Sequence, residues 1–314
     1  MITNILFELS MTLTNNEFKK LVNMKHLDLS SLPNRGDDYL DFSANDKGML
    51  AVYRDSTYKK KVSLIFDMGK ALSSAEFTPE KVCHKIQKRI AKYFNSTYSI
   101  DEFMLKRAVM VCDIDVGSRE SVCSYLAVLG RIRMVKGYSP AKSFGTDEQT
   151  SVSLEGNSNG VYFTVYSLES HMRRYNASSM QFAGILRSEV HLTKQNTISE
   201  ITGSSETVCR ITEIVEQAED IFRSVFYHII PCGNFYKKSR ACEIVRQTIK
   251  KKILRRKMLR LIALIPEKKS ILLAQKALNC RDIDEVMREF KRINLSPVTI
   301  TKRSNVKMLE GLRV

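Results

Sequence analysis

The chain lacks the devices that would place it outside the cell or in a membrane. In 314 residues no stretch reaches the roughly 20 consecutive apolar residues needed to span a bilayer. The opening residues, MITNILFELSMTLTNNEF, carry Glu8 and no basic n-region, so no signal peptide is expected. Seven cysteines (Cys83, Cys112, Cys123, Cys209, Cys232, Cys242 and Cys280) form no CxxC pair. An odd, scattered set excludes a disulfide framework and a zinc knuckle, and small core residues in a reducing compartment are expected. Short-period repeats, low-complexity segments and a His-hydrophobic-His motif are also missing, and His26, His84, His171 and His228 show no ligand spacing. The expectation is a cytoplasmic protein with no membrane partner.

What the chain has in excess is positive charge, and it is unevenly placed. The net charge is +16, yet Ser205–Val314 holds 24 Lys/Arg against 12 Asp/Glu, leaving only +4 for the first 204 residues. Between Tyr236 and Leu261 eleven cations (Lys237, Lys238, Arg240, Arg246, Lys250, Lys251, Lys252, Arg255, Arg256, Lys257 and Arg260) face one acid, Glu243. Most charge runs are solvated helix faces, but those mix signs. An eleven-to-one cluster favours a polyanion, because each cation that neutralises a phosphate releases counterions. These residues are therefore assigned to nucleic acid. Val245, Ile249, Ile253, Leu254, Met258, Leu261 and Ile265 recur at helical spacing through the same stretch, so one side packs while the other presents the cations.

The length and 43% apolar content fit about two domains. ILFELSMTL, YLDFSAN, MLAVYRD and KKKVSLIFDM read as strands between Asn, Asp, Gly or Ser punctuation. A helix is predicted from Thr78-Pro79-Glu80 to about Phe94, with Val82, Ile86, Ile90 and Phe94 on one face. Lys106–Val116 reads as a strand ending at Gly117, Ser118 as the cap of the helix RESVCSYLAVL, and Ile132–Val135 as a returning strand. Tyr138–Thr150 reads as a polar loop, and SVSLE and VYFTVY as a hairpin turned by GNSNG. The helix LESHMRRY, the strand Gly184–Thr193, an acidic helix from Glu206 to about Tyr227, and helices Lys269–Asn279 and Asp282–Asn294 follow, with SPVTI as a small strand. This predicts an α+β protein: an antiparallel sheet with helices on one face, an arrangement that admits two related halves, then a helical or winged-helix-like tail. The expected segments are 1–100, 101–204 and a basic 205–314.

Strand alternation gathers candidate chemistry. Arg187, Glu189 and His191 share a face of LRSEVHL, Asp113 and Asp115 a face of VCDID, and Tyr162, Thr164 and Tyr166 a face of VYFTVY, with Glu169 following. If these strands are neighbours, carboxylates, a histidine, an arginine and tyrosines meet, a set suited to metal-assisted phosphoryl transfer with a tyrosine nucleophile. Each piece has a plain alternative: packing tyrosines, solvated strand-end aspartates, and a surface Arg187–Glu189 pair.

Three segments resemble the phage and plasmid replication proteins of the gene II/X type, the rolling-circle replication initiators. They are KRAVMVCDIDVGSRESVCSYLAVLGRIRMVKGYS, GNSNGVYFTVYSLES and GILRSEVHL, and the tail LLAQKALNCRDIDEVMREFKRINLSPVTI is similar too. The resemblance implies a metal-dependent endonuclease that nicks one strand at an origin, with a tyrosine forming a 5′-phosphotyrosyl link and Mg²⁺ or Mn²⁺ polarising the phosphate. On this reading Tyr166 is the nucleophile and Arg187 its catalytic partner, with Asp113, Asp115, Glu189 and Glu169 around the metal; His191 is added as a metal ligand from its place on LRSEVHL and not from the family pattern. The family's Asp-Lys after the tyrosine is Ser167-Leu168 here, and His171 stands where its later acid falls. Origin DNA, a host helicase and a host polymerase are the implied partners, with a homodimer as an allowed assembly. Two other readings remain: a non-enzymatic DNA-binding protein of replication control, and an RNA-binding sheet stacking bases on Tyr162 and Tyr166.

Overall fold

The computed structural model describes residues 1–31, 36–56, 59–73, 76–141, 151–174 and 179–314. They form an α+β protein built on antiparallel strands. Two compact units emerge, each assembled from separated stretches. One joins Met1–Val111, Asn159–Val161 and His191–Asp220; the other joins Cys112–Ser158, Tyr162–Val190 and Ile221–Val314. Both cut across the contiguous segments expected from the sequence.

The first unit contains β1 (Asn4–Leu13), α1 (Asn15–Met24), β2 (Asp38–Asp41), β3 (Met49–Asp55), β4 (Lys60–Asp67), α2 (Met68–Leu72) and α3 (Pro79–Tyr93). It also takes in β5 (Met104–Asp115) as far as Val111, α6 (Gln195–Thr202), and α7 (Thr207–Ile229) as far as Asp220. Its strands run in the order β2-β3-β4-β1-β5. Phe7, Leu9, Leu64 and Phe66 are fully buried, as are Val82, Ile86, Ile90 and Phe94 from α3 and its cap. The predicted start of α3 is present, with the Thr78 hydroxyl accepting from the Lys81 amide and Pro79 in the first turn. Helix α1 is an addition to the expected strand run. Thr14 and Glu17 form a reciprocal capping box at its start, a local signal that outcompetes the surrounding strand pattern.

The second unit takes the end of β5, then α4 (Arg119–Leu129), β6 (Tyr138–Pro140), β7 (Ser151–Gly156), β8 (Val161–Ser167) from Tyr162 on, α5 (Leu168–Arg174) and most of β9 (Ile185–Leu192). Ser118 caps α4 as predicted. The β7–β8 hairpin closes on GNSNG with Glu155 opposite Tyr162. Ile132–Val135 is not a strand. Arg133 takes a left-handed φ of 45°, and the carbonyls of Ile132 and Met134 accept from the amides of Ile271 and Leu272 at 3.2 and 3.0 Å. Those carbonyls bind a helix start and so cannot pair in a sheet. The expected loop 138–150 begins with β6 paired to β7, and its residues 142–150 lie outside the described residues, as does Tyr175 of the helix LESHMRRY.

The tail of this unit holds β10 (Phe235–Tyr236), α8 (Lys238–Thr248), α9 (Lys252–Lys268), α10 (Ile271–Leu278), α11 (Ile283–Arg292) and β11 (Met308–Leu309). Helices with a two-stranded β10–β11 ribbon match the helical or winged-helix-like expectation. SPVTI is buried but is not a strand: its last residue, Ile300, makes a single bridge to Lys237, and Leu295 just before it makes one to Asn234. Periodicity carries through the basic run, yet the backbone extends at Ile249 (φ −93°, ψ 108°) and the run is two helices. Ile253, expected to pack, is 74% exposed, while Met258, Leu261 and Ile265 are buried. Among the described residues no helix is long and apolar enough to cross a membrane.

Candidate functional site

The candidate chemistry sits where β5 ends, β9 begins and β8 leads into α5. Along β9, Leu186, Ser188 and Val190 are fully buried, while Arg187 and Glu189 alternate with them and stay half-exposed. Strand alternation alone produces this split. Arg187 reaches Asp113 at the end of β5 through two parallel hydrogen bonds, Nε–Oδ1 and Nη2–Oδ2, both 2.7 Å. The bidentate fit is the geometry a guanidinium favours with a carboxylate. Burial works against the Arg187 charge, but the hydrogen bonds and charge of Asp113 outweigh it and hold its pKa above the ordinary arginine range.

Tyr166 lies on β8, and its hydroxyl donates to Glu189 Oε1 at 2.6 Å. Burial raises the phenol pKa well above its usual value. The Glu189 charge and hydrogen bond raise it further, and a hydrogen bond from Arg187 to the phenol partly opposes them. The His171 ring lies 5.1 Å from that of Tyr166, and burial keeps its pKa below the ordinary histidine value. Tyr162, two residues back on β8, donates to Glu155 at 2.9 Å across the hairpin. The structure thus brings Tyr166, Glu189, Arg187 and Asp113 together as one hydrogen-bonded array.

The remaining predicted donors are used otherwise. Glu169 is buried, with its carboxylate gripped by Arg119 from α4 and by Arg173 one turn along α5, the latter at 2.6 Å. The Arg119 hydrogen bonds pull the Glu169 pKa below the usual carboxylate range. Asp115 is exposed and accepts from the Gly117 amide at 2.8 Å, which shapes the turn into α4. His191 is buried and belongs to the first unit. Among the described residues no group of three or more His, Cys, Asp or Glu could hold a metal ion. Asp113 is committed to Arg187 and Glu169 to two arginines, so two of the five donors predicted for Mg²⁺ or Mn²⁺ are already neutralised by cations. Sequence reading missed Arg119 and Arg173. The i,i+4 spacing of Glu169 and Arg173 on a helix is a legible signal; Arg119, fifty residues away from Glu169, leaves none.

A second candidate surface is the basic pair α8–α9. Lys238, Arg240, Arg246, Lys250, Lys251, Lys252, Arg256 and Arg260 are exposed, and Lys237, Arg255 and Lys257 half-buried. Arg240 pairs with Glu243, Lys251 with Glu285 and Lys257 with Asp282. Lys238, Arg246, Lys250, Lys252, Arg256 and Arg260 have no acidic partner among the described residues. Packing residues are buried and the unpaired cations exposed on these helices, with Ile253 the exception to the predicted apolar side.

No family model matches the chain, and no curated protein matches it. A solved rolling circle replication initiator protein from Geobacillus stearothermophilus is similar over 72% of this chain and 84% of that one, with 10% sequence identity and a TM-score of 0.35. A likeness of that degree decides nothing about chemistry.

Proposed function

We propose that the chain is a DNA-binding replication initiator that nicks one strand through Tyr166. The observation that carries this reading is the Tyr166 hydroxyl donating to Glu189 beside Arg187. A nucleophile needs an adjacent base and a cation near the charge that develops. Glu189 is placed to take the phenolic proton as the Tyr166 oxygen attacks phosphorus. Arg187, steadied by Asp113, keeps guanidinium protons for the phosphate oxygens. The new O–P bond forms as the P–O3′ bond breaks, and the 3′ oxygen leaves as a hydroxyl by taking up the proton that Glu189 removed from Tyr166. The raised phenol pKa means that proton transfer must accompany attack rather than precede it. The unpaired cations of α8–α9 support duplex binding through phosphates.

One observation favours a second reading, DNA binding without cleavage: Asp113 and Glu169 are neutralised by arginines instead of being grouped around an ion. One experiment separates the two. Supercoiled plasmid carrying the cognate origin is incubated with the protein and scored for relaxation and covalent attachment. The nicking reading expects both, and their loss in Tyr166→Phe. Salt-sensitive binding with no relaxation by the unaltered protein leaves the binding reading standing alone.

A further inference from the structure

A concavity of about 370 Å³ lies between α9 and the turn that joins α10 to α11. Its walls include Arg256, Lys257 and Arg260 from α9, and Cys280, Arg281 and Asp282 from the turn. Arg256 and Arg260 are one helical turn apart, so they face the same way. Lys257 spends its charge on Asp282 at 2.9 Å. Arg256 and Arg260 have no acidic partner among the described residues, and Asp282, which also feels the Arg281 charge, is the one acid against four cations, which leaves the concavity three charges positive. Cations held around one hollow repel one another, and an anion entering it relieves that repulsion. Arginines also offer forked donors that match phosphate oxygens.

We infer that this hollow seats a backbone phosphate of bound DNA, with Arg281 closing the site from the side opposite α9. The inference rests on the reading of α8–α9 as a DNA surface and deepens it, because Arg281 lies outside the basic run and outside both basic helices. It turns a broad positive face into a surface with a fixed register for one phosphate.

Cys280 in the wall is half-buried, whereas Cys123 and Cys209 are exposed elsewhere and serve as internal controls. The full chain is alkylated with N-ethylmaleimide at low salt, alone, with saturating duplex DNA, or with inorganic pyrophosphate, and each cysteine is followed by peptide mass spectrometry. DNA is expected to slow alkylation of Cys280 severalfold and to leave Cys123 and Cys209 unchanged. Arg281→Ala is expected to weaken duplex binding and to reduce the slope of log affinity against log salt by about 0.9, the value for one lost phosphate contact. Arg281→Lys should keep that slope. Unprotected Cys280 under saturating DNA, or an unchanged slope in Arg281→Ala, overturns the inference. Protection by pyrophosphate but not by DNA also overturns it, in favour of a free-anion site. If Tyr166-dependent nicking persists while Cys280 stays unprotected, the pocket fails and the initiator reading survives; if no duplex binds at all, both fail.

Discussion

The two units each contain a hairpin that runs into a short capped helix, and the two copies of this arrangement carry opposite chemistry. In the first, β3 and β4 lead into α2, with Asp67 capping through the Lys70 amide at 3.0 Å. In the second, β7 and β8 lead into α5, with Ser167 capping through the Ser170 amide at 3.2 Å. The residue before each cap is aromatic. Phe66 stands opposite Met49 and is fully buried with it. Tyr166 stands opposite Ser151, stays half-exposed and hydrogen-bonds Glu189. The same local arrangement thus yields a core anchor in one unit and a candidate nucleophile in the other. The difference lies in which side of its strand the last aromatic takes.

Several substitutions would break or sharpen that contrast. The largest effect is expected from Tyr166→Phe, which gives β8 the side chain of β4. Nicking should fall about a thousandfold or more, as losses of a nucleophile do, while the melting temperature barely moves. Retention of covalent DNA attachment in gel assays would sink the assignment. Next is Phe66→Ala, expected to cost about 3–5 kcal/mol in urea unfolding, because a fully buried ring leaves a cavity. Phe66→Tyr should cost about 1–3 kcal/mol by burying a hydroxyl without a partner, and should not restore nicking when combined with Tyr166→Phe. An unaltered denaturation midpoint would show that Phe66 is less confined than Tyr166.

The third contrast is in pH. Glu169 has a folded pKa below that of an ordinary glutamate carboxyl, so its stabilising contribution is fully present above the ordinary value. It is lost as pH falls through the lower, folded value. Glu169→Gln should flatten the acid side of the stability profile, read from urea midpoints at stepped pH; an unchanged acid slope would show that Arg119 and Arg173 do not stabilise the carboxylate. The smallest effects belong to the caps. Asp67→Ala and Ser167→Ala should each cost about 1 kcal/mol, and unequal losses would show that tertiary packing holds one helix and not the other.

Much of the scaffold was legible because its signals are local. Thr78-Pro79, Gly117-Ser118 and GNSNG set their helix starts and hairpin turn within a few residues. Alternation along LRSEVHL put Arg187, Glu189 and His191 on one side; Arg187 and Glu189 stay half-exposed there, whereas His191 is buried like its neighbours Val190 and Leu192. Thr14 and Glu17 announced α1 and were overlooked beneath a strand pattern. Ile132–Val135 misled because its carbonyls bind amides more than 130 residues ahead, which no window reveals. At the site, the residue types were legible and the pairing was not. Nothing in VCDID says that Asp113 will be spent on Arg187, or that Glu169 will be spent on Arg119.

The strap from Ile132 and Met134 to the start of α10 also orders events in time. Every residue of the first unit has been made once synthesis passes Asp220. The second unit must then wait, with the carbonyls after α4 unclaimed until Ile271 and Leu272 emerge and the ribbon open until Leu309 meets Phe235. Contacts this distant in sequence make folding slow. A chain halted in α9 would therefore hold every residue of the first unit and an incomplete second unit. The polar array of β5, β8 and β9 would be among the last parts to become rigid.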